Sequence, residues 1–387
     1  MPGSSAEASW IFRYSPHIAV FSVGYVLFVY AAVPNIFMTR FAMGFTALGL
    51  LMSAALFSVV LAQPLCSRLT TRISTTNILL AATVMHVLLA IALDFAQTFW
   101  TLLALRAVWG LAAGIILTSG GTHIARLYSG SAATRQQGIY GGMLTFGGAL
   151  SFLLAPHLRL PFAPFDLFIP GALLGIPTIG ILWWYRRDRT TAPQRPHSLS
   201  DSDANLSAQY ILTHPAIIVA SLCYIASLGS YVTLSTFITA YFDDLGVIGP
   251  LNVFVLLVAS VARALGGAIV QWWSIGDRRI VRFATVSATL GFMLLAIVQS
   301  PPYIIILPFV VMLAVSFPFG VIYHIATETI TEEGTALAIV IAAGNIAALI
   351  LPTFTGILRA TSGGYSSGFL LLGAINAVAV GSIVWLR

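Results

Sequence analysis

Apolar runs of about twenty residues recur along the whole 387-residue chain. Each is long enough to cross the ~30 Å hydrocarbon core of a bilayer as a helix. That recurrence constrains the fold more than any other feature. Only 8% of the residues are charged and 58% are hydrophobic, whereas a soluble domain carries about 25% charged residues. Too few polar groups exist to cover a globule in water. Lipid offers no partners to backbone N–H and C=O groups, so the runs should be helices rather than open strands. The expected fold class is an all-α membrane protein.

Twelve spans can be drawn. The first six cover 17–38, 46–66, 77–95, 98–122, 138–157 and 165–185. The second six cover 211–241, 251–272, 281–299, 303–327, 336–358 and 366–386. Between them, residues 186–210 are polar, mixed in charge and contain Pro and Ser, as a linker between two six-helix units (1–185 and 211–387) would be. Asn205-Leu206-Ser207 matches a glycosylation sequon there; on a segment expected to be cytoplasmic, the match is chance. The N-terminus has no short apolar region ending in a small-residue cleavage site, so the first run is expected to be a retained helix. Cys66 and Cys223 both fall in apolar runs, which implies no disulfide framework. Metal-ligand spacing is absent, and no cofactor is expected.

All the basic residues are arginines, and their placement sets the orientation. With both termini inside, Arg13, Arg68, Arg72, Arg126, Arg135, Arg186, Arg187, Arg189, Arg195, Arg278, Arg279, Arg282 and Arg387 are inside, and Arg40, Arg159 and Arg359 are outside, 13 against 3. The isoelectric point near 9.5 therefore reports topology and not nucleic-acid binding. The expected location is a prokaryotic cell membrane, with both termini cytoplasmic and the chain a monomer. Two arginines remain within the membrane, Arg106 and Arg263.

Depth makes these two informative. Arg263 lies twelve residues into its span, about 18 Å along a helix, and Arg106 lies eight residues in, about 12 Å. Both are near the middle of the bilayer, where an arginine costs roughly 2.5–3.5 kcal/mol, so neither should face lipid. No acidic residue lies within ten positions of Arg263, and none sits at the midplane of any span. Two roles are open to each. An arginine can tie helices together through backbone carbonyls, or it can hold an anionic substrate with its planar fork of donors. The absence of an acid at that depth favours the second role, most of all for Arg263.

The two units echo each other. GALSFLLAP (148–156) in the fifth span has the Gly-x7-Pro pattern of GNIAALILP (344–352) in the eleventh, and HIAR from His123 in the fourth is answered by HIAT from His324 in the tenth. Six-helix repeats with a site near the midplane at their interface are a known transporter plan. RAVWGLAAG (106–114), an arginine followed by spaced glycines, resembles the fourth-helix pattern of the major facilitator superfamily. QPLCSRLTTR (63–72) and GAIVQWWSIGDRR (267–279) lie where that superfamily has a glycine–acid–basic loop motif, with Ser67 and Gln271 in the place of the acid. Gly138 and Gly147 match half of its fifth-helix antiporter motif, and Ser151-Phe152 replaces the Gly-Pro step. ARALGGAIV (262–270) with GNIAALILPTFTG (344–356) resembles the nitrate/nitrite porter branch and its cyanate-type relatives. In that branch, arginines on the second and eighth helices hold the anion. Arg263 matches the eighth-helix one, while the second span here has no arginine.

The resemblance implies two pseudo-symmetric six-helix bundles and alternating access, with helices one, four, seven and ten lining the cavity. The expected function is secondary transport of a small anion, an organic carboxylate or an inorganic oxyanion, coupled to protons or to a counter-anion. Efflux of amphipathic compounds is the alternative, opposed by the missing Gly-Pro step. A membrane enzyme is disfavoured, because no nucleophile–base pair or metal cluster occurs at a spacing that would assemble a site. Besides the two arginines, the expected substrate-binding residues are Tyr25 and Asn35 on helix one, Tyr224 and Tyr231 on helix seven, and Asn345 on helix eleven. On helix seven, Tyr224, Ser227, Tyr231 and Ser235 share one face at helical spacing. His86 is expected to be a packing histidine. His324, with Glu328 one turn later and His123 as its echo, is the expected proton site, since histidine titrates near neutrality. Arg126 and Arg135 in the loop after helix four, and Glu332 and Glu333 after helix ten, are expected to form a cytoplasmic gate.

Overall fold

The computed structural model describes residues 4–70, 72–128, 130–158, 166–187, 213–247, 249–273, 276–298, 300–328 and 333–385. Among these residues the regular elements are α1 (Ser4–Ala32), α2 (Pro34–Arg40), α3 (Phe45–Thr70), α4 (Thr75–Leu93), α5 (Phe99–Leu127), α6 (Gly130–Leu154), α7 (Ile169–Arg187), α8 (Pro215–Asp244), α9 (Leu251–Trp273), α10 (Asp277–Ile297), α11 (Tyr303–Ser316), α12 (Phe319–Glu328), α13 (Glu333–Ser362) and α14 (Ser366–Trp385). Nine helical stretches among the described residues are long and apolar enough to cross a membrane. Helices α6, α7 and α9 stand where the other three spans were expected, and α9 is apolar over Leu251–Gly266. The fold is all-helical, as the apolar runs require. Most of the expected linker lies outside the described residues.

Two expected spans are broken, each at a proline. The first stops at Ala32 and resumes as α2, with Pro34 in its first turn. Proline lacks the N–H that would continue the ladder, and its ring crowds the preceding turn; at a helix start neither matters. The tenth span divides at Phe317 and Pro318 into α11 and α12 for the same reason. A third departure concerns the connection after helix four. Helix α5 runs to Leu127 with Arg126 in its last turn, and α6 begins at Gly130. Arg135 is therefore on a helix and not in a loop.

Helix α3 packs on α5, α1 on α6 and α7, and α4 on α5 and α7; further along the chain, α8 packs on α13 and α10 on α14. The two groups meet where α3 lies along α13 and α6 along α9. Naming the sides by the arginine count, the groups are joined at their outer ends. Asn35 Nδ2 donates to Asp243 Oδ2 at 2.9 Å. Ser53 Oγ donates to the Leu349 carbonyl and lies 2.7 Å from Thr353 Oγ1. Arg359 donates to Asp244 at 2.5 Å, and its guanidinium carbon lies 4.6 Å from the Phe45 ring centre and 4.9 Å from that of Tyr365.

One buried acid has a structural task at this end. Asp94 caps α4 and is fully buried. Its Oδ1 accepts from the N–H groups of Leu167 and Phe168, and its Oδ2 accepts from those of Phe168 and Ile169, at 2.7–3.0 Å. These donors are the otherwise unsatisfied N–H groups at the start of α7. Burial pushes the Asp94 carboxyl up to about 6, against the downward pull of the N–H donors.

Candidate functional site

The two intramembrane arginines are both buried, yet their donors are used differently. Arg106 on α5 is fully buried. Its Nε donates to the Leu51 carbonyl at 3.0 Å, Nη1 to Val26 at 3.2 Å and Nη2 to Leu27 at 3.0 Å. It therefore ties α5 to α3 and α1. The rings of Tyr30 and Trp109 lie over its guanidinium carbon at 4.6 and 5.6 Å. Trp109 Nε1 in turn donates to His86 Nδ1 at 3.0 Å, and His86 Nε2 lies 2.7 Å from Ser22 Oγ, which donates to the Gly171 carbonyl. Indole is only a donor and the Ser22 hydrogen is committed, so His86 is neutral with its proton on Nε2. His86 is the satisfied packing residue that its place on an apolar helix implied.

Arg263 on α9 is 6% exposed. Its Nε and Nη2 are buried with no hydrogen-bond partner. Its guanidinium carbon lies 4.0 Å from the ring centre of Tyr231 and 3.8 Å from that of Phe319. Tyr231 comes from α8, and Phe319 is the first residue of α12. The break at Pro318 thus delivers a ring onto the arginine. Gly266, one turn beyond Arg263, makes room for it: a Cβ there would sit 2.2 Å from the Phe317 carbonyl oxygen. Beside this group, the hydroxyls of Tyr224 and Tyr323 bond each other at 2.5 Å. Gly344 on α13 admits the Tyr224 ring, since a Cβ would meet its Cδ1 at 2.1 Å. Here the glycine before Asn345 serves helix packing.

The other expected residues are spread out. Tyr25 is buried with an unpartnered hydroxyl. Asn35 is exposed at the outer end, on the short α2 and bonded to Asp243, because Pro34 turns the chain out of the first span. Asn345 is half-buried. His324 is 44% exposed, with Nδ1 2.6 Å from Asp277 Oδ2 at the inner end. Its echo His123 is fully buried, 3.5 Å from Thr75 Oγ1 through Nδ1 and with Nε2 unpartnered. Arg126 donates to the Thr70 carbonyl at 3.5 Å, and Arg135 is exposed. Glu332 and the side chains of Glu328 and Glu333 lie outside the described residues. Phe319, Tyr323 and Asp277 were not expected as site residues. The signal available for the first two was Pro318, because interrupted helices at membrane depth line cavities. Among the described residues, no group of three or more His, Cys, Asp or Glu could hold a metal ion.

A family model of the Major Facilitator Superfamily matches residues 17–333. The chain belongs to the major facilitator superfamily. It is a multi-pass membrane transporter and not an enzyme. A crystal structure of a bacterial homolog to the human lysosomal transporter Spinster, in an inward-facing and occupied conformation, is similar over 99% of this chain and 97% of its own, with a TM-score of 0.75 at 14% identity. At that identity the likeness carries the fold alone. No curated protein matches the chain. The match is to the superfamily as a whole, and nothing in these findings supports the nitrate/nitrite branch. The absence of an arginine from α3, other than Arg68 in its last turn, agrees with that outcome.

Proposed function

We propose that this major facilitator carries a small anion across the cell membrane by alternating access, with Arg263 as the group that holds it. One observation carries the reading: a buried guanidinium with Nε and Nη2 unpartnered. A buried charge without a partner is costly, and the missing partner is supplied when an anion enters. Arg106, whose donors are met by carbonyls, holds the bundle together. Tyr224, Tyr231, Phe319 and Tyr323 complete the site from α8 and α12. The groups formed by 1–185 and 211–387 move against each other, and contacts at the outer end close that side here. We assign closure of the other side to Arg126 and Arg135 pairing with the acidic Glu332 and Glu333 once the bundles rock together.

Counterflow of radiolabelled anions in proteoliposomes tests the reading. Saturable anion uptake that is lost in Arg263→Ala is expected; efflux of amphipathic compounds with no anion dependence would contradict it. For coupling, we place the proton on His324, beside Asp277. His324→Gln should abolish accumulation driven by a pH gradient and spare exchange, which does not require the carrier to return empty. Unchanged pH-driven accumulation removes His324 from the mechanism.

A further inference from the structure

We infer that the Arg263 site selects a singly charged carboxylate with an apolar body over inorganic oxyanions, halides and dicarboxylates; this rests on the reading of Arg263 as the anion-holding group. The first ground is which donors are free. Nε and Nη2 form the side-on edge of a guanidinium, where two N–H groups point in parallel. That edge matches two oxygens carried on one atom. A halide offers one acceptor and uses the pair poorly. Two ring faces, Tyr231 at 4.0 Å and Phe319 at 3.8 Å, pack against the guanidinium carbon and fix how the edge is presented.

The second ground is charge. Arg263 is buried, and among the described residues the rings of Tyr231 and Phe319 pack against it, with no carboxylate bonded to it. The other arginine at this depth, Arg106, has spent donors on three carbonyls. One cation neutralises one negative charge. Sulfate, the phosphate dianion or a dicarboxylate would leave a second charge in an apolar site, which is costly.

The third ground is what lies beyond the two bound oxygens. Nitrate carries a third oxygen, which needs its own donor. A carboxylate presents carbon at that position, suited to the rings of Phe319 and Tyr231.

The test uses the full-length purified protein and a fixed panel of probes: benzoate, hexanoate and pyruvate as monocarboxylates, against succinate, sulfate, nitrate and chloride. Binding is read by calorimetry and by thermal stabilisation, in wild type and in Arg263→Lys. At least one monocarboxylate is expected to bind roughly 10-fold or more tighter than every other anion, as one charge-assisted hydrogen bond is worth. Arg263→Lys should reduce that preference and leave the unliganded melting temperature unchanged. Sulfate, nitrate, chloride or succinate binding as tightly as the best monocarboxylate overturns the selectivity and leaves the anion reading standing. If no anion in the panel binds, both fall. Equal monocarboxylate binding in wild type and Arg263→Lys places the site elsewhere and overturns the inference.

Discussion

Arg106 and Arg263 are the same residue type at similar depth, on the fourth and eighth spans, and both are buried. Each is also flanked by two aromatic rings. They differ in what their donors meet. Arg106 spends Nε, Nη1 and Nη2 on carbonyls of α1 and α3, whereas Arg263 leaves Nε and Nη2 unmet. A buried charge therefore announces a function only after its partners are counted. Satisfied, it holds helices; unsatisfied, as at Arg263, it is the group we propose for the anion.

The largest effect expected from this contrast is on folding. Arg106→Ala removes three charge-assisted bonds and opens a cavity between α1, α3 and α5, at a cost on the order of 3–5 kcal/mol. Little folded protein should be recovered, as read by fluorescence-detected size exclusion. Wild-type yield and melting temperature in Arg106→Ala would erase the distinction between the two arginines.

Asp94 extends the contrast to a buried acid. It is satisfied by the N–H groups of Leu167, Phe168 and Ile169, and should behave like Arg106. Asp94→Ala strands those donors, at about 1–3 kcal/mol for a buried group left unmet, and should lower the melting temperature without changing substrate affinity. Its carboxyl is also raised to about 6 by burial, above the unfolded value of about 4. The folded state thus holds this proton more tightly than the unfolded state. Stability from this group is present below about pH 4 and is lost as the pH rises through about 6. Melting curves over that window should show a fall in wild type that flattens in Asp94→Asn; an identical slope in the two removes Asp94 as its source.

A third arginine sharpens the comparison at lower energy. Arg359 has an acidic partner, Asp244, but the pair is partly open to solvent, with side chains 15% and 42% exposed. Such pairs contribute only ~0.2–1 kcal/mol. Arg359→Ala should therefore spare folding and shift the balance toward the outward-open state by a few-fold at most. Labelling of a cysteine placed at Ser53 reports this, and unchanged labelling shows that Arg359 does not hold the outer end closed.

Much of the fold was legible because a bilayer leaves a chain few options. Apolar length placed most of the spans within about five residues of their helices, but α1 begins at Ser4 and α6 at Gly130, well before the expected 17 and 138; the superfamily followed from glycine and arginine patterns. The breaks were not legible, although both prolines are visible. Pro16, Pro64, Pro177, Pro308 and Pro352 sit inside continuous helices, whereas Pro34 and Pro318 interrupt them, so a proline alone does not tell which will happen. Phe319 and Tyr323 were missed for that reason. The partners of Arg106 were hidden more deeply, since they are backbone carbonyls, and every residue has one. Sequence echoes also misled where burial differs: HIAR and HIAT place His123 fully buried and His324 at 44% exposed. Asn35 is expected on helix one but stands on α2, beyond the break at Pro34.

The most direct measurement is anion counterflow in Arg263→Lys proteoliposomes, with folding checked by melting temperature in the same preparation. Lysine keeps the positive charge and loses the side-on pair of donors. A wild-type melting temperature is expected, with substrate affinity or uptake reduced roughly 10- to 100-fold, the range for one or two charge-assisted hydrogen bonds. Wild-type uptake and affinity in a folded Arg263→Lys protein would contradict it.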